Sequence, residues 1–314
     1  MPKVSVIIPC YKAKETIAKT LHSIAMQTNA EEIEVIIVND CDGLDYDSII
    51  DTARFGDLNI KYVVREKNGG CGAARNTGIK NAIADYILFL DADDMLIHPL
   101  GLEAMYNEAI KSKADLVIAV FESEMRFADG VGVKKMVHSP TWCHGKLMKR
   151  QYILDNNLIF RENLRINEDV EFNQMFMDLG AKVAEIPMIV SLWRDTVKSV
   201  THESFYKNKA TFVQACGEYI KDCNERGYMN DRVIRRVLQN IVVIYQYYNV
   251  CCDECLDKVD DFMALCREYW KLCEPIVQDV EDELITKVYC AVMKDFQIIP
   301  SVGFIKFLDL IKSE

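Results

Sequence analysis

The sequence predicts an α/β fold, a mostly parallel sheet flanked by helices, followed by an all-helical C-terminal extension. Two observations predict it. In the first half of the chain, short runs that are apolar throughout alternate with stretches of helical periodicity, the pattern of strands covered on both faces by crossover helices. From about His202 onward only the helical period remains.

Taken in order, Val4 to Ile8 reads as the first strand, and "KETIAKTLHSIAMQ" as a helix with Ile17, Leu21, Ile24 and Ala25 at helical spacing. Glu34 to Val38 is the second strand, followed by a short helical pattern around Ile49 to Ala53. "IKYVVR" is a third strand, "CGAARNTGIKNAIA" a helix and "YILFLD" a fourth strand. A helix over Leu102 to Lys113 leads to the strand "DLVIAVF", and Glu122 to His138 has the form of a hairpin turning at Asp129 and Gly130. "WCHGKLMKRQYILDNN" and "NEDVEFNQMFMDLG" read as helices and "VAEIPMIVSLWR" as a strand. "DRVIRRVLQNIVVIYQYY", "LDKVDDFMALCREYWKLC", "EDELITKVYCAVMKDF" and "GFIKFLDLIK" complete the helical part. The expected division is a catalytic domain over residues 1–202 and a helical extension over 203–314.

Half of the 314 residues are apolar, enough for a substantial core. A net charge of -11 opposes attraction to phosphate backbones, and no basic groove is evident, so no nucleic-acid partner is expected. A nucleotide-sized ligand remains compatible, because a few placed cations and backbone amides suffice. The apolar run in "MPKVSVIIPCYK" is too short for a signal peptide, and no stretch reaches the roughly 18 apolar residues of a spanning helix. The expectation is therefore a cytoplasmic protein. Its twelve scattered cysteines are expected as thiols, and "CCDEC" at Cys251 to Cys255 has neither a second pair nor a nearby His to complete a zinc site.

The chemistry concentrates where the fourth strand ends. There Asp91, Asp93 and Asp94 crowd together with only Ala92 as a spacer. Parallel sheets bind ligands beyond the carboxyl ends of their strands, and the other exits are polar too: Pro9 and Tyr11, Asn39 and Asp40, Glu66 to Gly72. Close like charges are costly unless neutralised, and a divalent cation does this; oxygen ligands suit Mg²⁺ or Mn²⁺ shared with substrate phosphate. An acidic loop capping the next helix accounts for Asp94 but not for all three acids.

Rival readings fit less well. A haloacid-dehalogenase-type phosphatase using Asp91 as nucleophile would carry Thr or Val where Met95 stands, and would place the motif on its first catalytic strand. "KNGGCGAARNTG" is not a dinucleotide fingerprint, since Arg75 occupies a glycine position, and it lacks the Gly-Lys-Ser/Thr of a phosphate loop. A sugar-phosphate nucleotidylyltransferase needs a Gly-rich basic first loop, which "PCYKAKET" does not provide. The glycines instead let backbone approach a ligand, with the Arg75 fork available to a diphosphate or ribose.

In this order, "VSVIIPCYKAKETIAKTLHSI", "IEVIIVNDCDG", "EKNGGCGAARNTGI", "ADYILFLDADDML", "WCHGKLMKR" and "NEDVEFN" resemble the family 2 glycosyltransferases of GT-A fold, over about residues 3 to 202. The resemblance implies a nucleoside-diphosphate sugar donor, UDP-sugar favoured, with Mn²⁺ or Mg²⁺ and inversion at the anomeric carbon. It also implies a carbohydrate or glycolipid acceptor, in polysaccharide or glycoconjugate synthesis. By position, Pro9, Tyr11 and Glu15 would line the nucleoside pocket, Asp40 would read the base edge, and Asp42, Gly70 and Arg75 would complete the nucleotide-sugar site. Asp91 would lie near ribose and metal, Asp93 on the metal, and Ala92 and Asp94 beside the donor sugar. Asp169 would be the catalytic base, with Glu168 its neighbour. "WRDTVKSVTH" resembles the family's late Arg-x-x-x-x-Ser stretch, which offers Arg194 and Ser199 to the diphosphate and His202 to the metal. The chain departs from the pattern at Lys12, where Asn is usual, and at Cys41, Asp42 and Gly43, where Gly-Ser-x-Asp is usual.

Inversion asks for one in-line displacement, so the acceptor hydroxyl needs a carboxylate to take its proton. Asp169 opens a helix whose Val170, Phe172 and Phe176 can anchor the backbone while the acid faces outward. Acceptor contacts are expected between Glu122 and Lys149, from Trp142, His144 and Lys146. The amphipathic final helices are expected to pack on the catalytic domain or on a second copy in a homo-oligomer. Peripheral membrane contact through "GFIKFLDLIK" is the alternative.

Overall fold

The computed structural model describes residues 1–314 except 51–54, 57, 128–129, 137–138, 140, 195–204, 279, 295–300 and 314. The chain forms two compact units, Met1–Ser199 and Val200–Glu314.

In the first unit a parallel core is laid down by β1 (Val4–Cys10), β2 (Ile33–Asn39), β3 (Asn59–Val64) and β4 (Tyr86–Phe89). These alternate with α1 (Ile17–Ala25), α2 (Asp47–Ile50) and α3 (Gly70–Asn81). After a short β5 (Met95–Leu96) come α4 (Gly101–Ser112), β6 (Leu116–Phe127), β7 (Gly130–Met136), β8 (Lys146–Lys149), α5 (Arg150–Asp155), α6 (Glu168–Asp178) and β9 (Val183–Trp193). The sheet runs β3-β2-β1-β4-β8-β6-β9-β5, with β7 paired to β6. β1, β2, β3 and β4 are parallel neighbours, whereas β8 is antiparallel to both β4 and β6. The α/β architecture expected from the alternating pattern is found.

Every residue of β1 and β2 is buried, as expected for strands covered on both faces. Val6, Ile8, Val35, Ile37 and Leu88 pack with Leu21 and Ile24 of α1 and with Met105 of α4 in one core. On α3, Gly78 sits against Ile7 with no room for a side chain, which lets the helix seat directly on β1. β3 departs from the expected buried run. It is the edge strand, with alternating exposure along its length.

"WCHGKLMKRQYILDNN", read as one helix, is instead β8 followed by the short α5. Its central residues pair on both sides, Leu88 and Val117 each opposite Leu147, and two ladders outweigh local helical preference. β5, with two residues, is too short to show a period and went unseen. The last three residues of the third expected helix, Ala82 to Ala84, lie outside α3, because Ala82 is already extended.

The second unit is helical: α7 (Phe205–Glu225), α8 (Asp231–Glu254), α9 (Val259–Val277), α10 (Asp282–Lys294) and α11 (Ser301–Lys312). The Asn230 side chain caps α8 by accepting from the N–H groups of Arg232 and Val233. Cys216, Tyr219, Cys223, Ile241, Phe262, Cys266 and Cys273 are buried in its interior, so most of these thiols act as small apolar groups. No helix among the described residues is long and apolar enough to cross a membrane.

Candidate active site

The strand order creates the crevice. From β1 the chain steps outward through β2 and β3, then returns to place β4 on the other side of β1. Loops leaving β1 and β4 therefore diverge at the carboxyl end of the sheet, where α/β sheets take their ligands.

The acidic segment is a tight turn between β4 and β5. The Leu90 N–H still donates to Ile7 O at 3.1 Å, and the Asp94 N–H closes the turn on Asp91 O at 3.0 Å. The Thr20 hydroxyl on α1 lies 3.0 Å from Ala92 O and 2.8 Å from Asp94 O, pinning the turn from below. Ala92 and Asp94 are buried, Asp91 and Asp93 half-buried. The Arg194 N–H, just past β9, donates to Asp94 Oδ1 at 2.9 Å. Asp94 Oδ2 is buried without a hydrogen-bond partner among the described residues, although His144 Nδ1 is 3.4 Å away, outside hydrogen-bonding geometry.

Arg75 joins this turn to the "NED" helix. Its Nη2 donates to Asp91 Oδ1 at 2.8 Å and its Nη1 to Glu168 Oε1 at 2.5 Å. The guanidinium also faces the Phe160 ring at 5.4 Å, and Phe160 stacks on Phe172 of α6 at 3.9 Å. Arg75 is thus buried and committed to two carboxylates. Two acids flank the guanidinium inside the protein, and pairing with them is what makes its burial tolerable, while its Nε donor is buried without a partner among the described residues.

Asp169 follows Glu168 in the first turn of α6 and accepts the Cys143 N–H at 3.3 Å. Burial, reinforced by the neighbouring Glu168 charge, pushes its pKa up to about 7, against the pull of Arg75 and Lys146. Burial also raises Asp94 well above the carboxylate range, with Asp91 and Asp93 adding to it. Asp91 moves the other way: burial opposes ionisation, but Arg75 and His144 outweigh it and hold the pKa low. Burial brings His144 down to about 4, leaving a neutral imidazole at ordinary pH.

On the β1 and β2 side, Pro9 is buried in the ladder opposite Val38, while Tyr11 and Glu15 are exposed. The Asp42 carboxylate accepts the Lys12 N–H at 2.6 Å, the Tyr46 hydroxyl at 2.6 Å and the Leu44 N–H at 2.9 Å. Tyr46 in turn accepts the Ala13 N–H at 2.9 Å, so Asp42 stitches the loop after β2 to the loop after β1. Asp40 differs from its expected role at the base edge. It is buried, accepts the N–H groups of Gly69 at 3.0 Å and Gly70 at 2.7 Å, and pairs with Arg65. The unpaired N–H groups opening α3, with Gly70 at a φ of 86°, draw the carboxylate into the helix terminus.

Of the expected acceptor residues, Trp142 packs against Phe121, His144 and Trp193 at ring distances of 5.7, 6.1 and 6.0 Å. Lys146 is fully buried, with its ammonium donating to Asn173 Oδ1 at 2.8 Å, so direct contact with an acceptor is corrected to an internal role. Ser199 and His202 lie outside the described residues.

Among the described residues, Asp91, Asp94 and His144 offer ligand atoms within 4.8 Å of one another. Asp93 is not in that trio. The residues fit a divalent cation: a buried carboxylate oxygen lacks a donor, neighbouring acids disfavour its charge, and a neutral imidazole stands alongside. Two carboxylates with an imidazole suit Mn²⁺ better than the all-oxygen preference of Mg²⁺. His144, expected within the Glu122 to Lys149 acceptor region, lies 50 residues from Asp94 in the chain, so no linear spacing joins it to the acidic turn. Asn173 and Tyr46 were missed for the same reason.

The parallel core with its switch point between β1 and β4, and the acidic turn beyond β4, frame the site. The family model for Glycosyl transferase family 2 matches residues 5–162, half of the chain, and the chain belongs to that family. It is 30% identical over 161 residues to the poly(ribitol-phosphate) beta-N-acetylglucosaminyltransferase TarP of Staphylococcus aureus strain N315, covering 51% of this chain and 46% of that protein. It is 29% identical over 221 residues to the uncharacterized glycosyltransferase EpsJ of Bacillus subtilis strain 168, covering 64% of this chain and 63% of that protein. The matches therefore span less than two thirds of either relative. Among solved structures, S. aureus TarS 1-349 in complex with UDP-GlcNAc shares the fold at a TM-score of 0.67 and 17% identity, over 99% of this chain and 91% of that one.

Proposed function

We propose that the chain is an inverting glycosyltransferase that moves a hexosyl or N-acetylhexosaminyl group from a UDP-sugar to an acceptor hydroxyl of a glycan or polyol-phosphate polymer. The observation that carries this is the Arg75 bridge, which ties the turn bearing Asp91 and Asp94 to the helix bearing Asp169. One end of the sheet then holds both a cation-ready acidic cluster and a base whose pKa of about 7 matches its task. The names of the relatives support the substrate class: one is an N-acetylglucosaminyltransferase acting on poly(ribitol-phosphate), and TarS is solved with UDP-GlcNAc.

In this reading Asp169 takes the proton of the acceptor hydroxyl as its oxygen bonds to the anomeric carbon and the nucleoside diphosphate departs, a single displacement with no covalent sugar intermediate. Glu168, held by Arg75, keeps Asp169 at the start of α6. Asp91, Asp94 and His144 would hold the divalent cation, which when bound supplies counter-charge for the leaving diphosphate. The Asp42 and Tyr46 stitch shapes the nucleoside side of the crevice, and exposed Tyr11 offers a ring to the base. Residues 1–202 form the catalytic domain in this reading, and 203–314 a helical extension without chemistry of its own.

A thermal-shift screen of UDP-, GDP- and dTDP-sugars with and without Mn²⁺ tests the reading. Stabilisation by a UDP-sugar that deepens with Mn²⁺, together with UDP release on adding a polyol-phosphate or glycan acceptor, is expected. Equal response to every nucleotide, with no UDP released, would overturn it.

A further inference from the structure

Lys146 has no exposed surface, which is rare for lysine, because an ammonium loses several kcal/mol of hydration on burial unless hydrogen bonds and counter-charges replace it. It opens β8 opposite Ile118 of β6, and its Nζ donates to Asn173 Oδ1 at 2.8 Å. An ammonium carries only donors, so this bond settles which way the Asn173 amide faces. The amide nitrogen must then point the other way, where it donates to Asp169 O at 2.8 Å and Thr141 O at 2.9 Å. Turned over, the same amide would set its oxygen against those two carbonyls and its nitrogen against the ammonium.

That one amide therefore ties the 141–145 segment to the first turn of α6, and the segment returns the Cys143 N–H to Asp169 Oδ2 at 3.3 Å. Gly145 helps lock the segment, since its carbonyl accepts the Ala119 N–H of β6 at 2.8 Å. Asp169 is consequently held from both sides. Arg75 acts through Glu168 on one flank, and the β8 side acts on the other.

We propose that Lys146, acting through Asn173, is a positioning residue that fixes the Asp169 carboxylate in the geometry for proton transfer from the acceptor. This rests on Asp169 being the base. Lys146 touches neither donor nor acceptor; it selects the orientation of an amide that holds both the backbone of the base and the segment hydrogen-bonded to its carboxylate.

The test compares Lys146→Met, of similar volume, and Asn173→Asp, which keeps an acceptor for Lys146 but loses both donated bonds, with wild type and Asp169→Asn. In folded Lys146→Met or Asn173→Asp protein, kcat should fall about 100-fold, the cost of misplacing a reacting group by about 1 Å, while the donor KM stays within about twofold. Combined with Asp169→Asn, neither change should slow the residual rate further, because residues acting as a unit are not additive. Wild-type kcat in folded protein, or a loss shared equally by kcat and donor binding, would overturn the positioning role. If Lys146→Met does not fold, Asn173→Asp decides by the same readings. Wild-type turnover by Asp169→Asn would instead remove the base itself, so the two failures are distinguishable.

Discussion

Arg75 on α3 and Asp91 beyond β4, 16 residues apart in sequence, meet at 2.8 Å, and the other arm of the guanidinium reaches Glu168, 93 residues away. Replacing Arg75 with Met leaves two carboxylates in an apolar surround without their counter-charge, a loss of about 3–5 kcal/mol of stability. Arg75→Lys keeps the charge but offers a compact ammonium that cannot span both acids. Melting temperatures should fall in the order wild type, Lys, Met, and kcat should drop in both variants.

With Asp169 as the proposed base, its pKa, raised to about 7 by burial and then by Glu168, predicts a pH-dependent transfer. The base must be ionised, so log kcat/KM should rise with unit slope below about pH 7 and level off above it. The stability effect has the opposite sign. The folded protein retains a proton that the unfolded chain, with an ordinary value of 3.8, has already released, so this group's stabilisation is complete below about pH 4 and is lost as pH rises through about 7. The melting temperature of Asp169→Asn relative to wild type should therefore climb between pH 4 and 8.

Asp94 and Asp93 make different predictions at the metal. The trio includes Asp94, whose Oδ2 lacks a donor, and excludes Asp93. Asp94→Asn should weaken Mn²⁺ binding at least about tenfold by calorimetry, with a smaller change in Asp93→Asn. Because burial and the neighbouring acids favour protonated Asp94, Mn²⁺ should release a proton on binding, and its affinity should rise with pH.

Gly145 has a φ of 66°, and a Cβ there would lie 2.7 Å from the Ala119 carbonyl oxygen. Gly145→Ala combines a left-handed backbone penalty with a clash against a strand, for a loss of about 2 kcal/mol or more in chemical denaturation. As His144 is the preceding residue, Mn²⁺ affinity should fall in the same variant.

The sequence by itself determined the parallel core. Apolar strands such as Val4 to Ile8 and Glu34 to Val38 are buried along their whole length, as strands covered on both faces must be, and the acids Asp91 to Asp94 stand at the carboxyl end of that sheet. The helix opening at Glu168 and Asp169 was legible too, from the apolar spacing of Val170, Phe172 and Phe176, but the acid expected to face outward is instead drawn in against the Cys143 N–H. Local pattern misread Lys146 to Lys149, where pairing with strands on both sides decides the conformation.

Tertiary structure alone decided the partnerships. Arg75 faces Glu168 rather than open crevice, Asp40 turns into the start of α3, His144 rather than Asp93 joins the ligand trio, and Lys146 lies inside. Each depends on distances between segments far apart in the chain, and on whether burial leaves a charge with a partner. Periodicity and spacing carry no information about either.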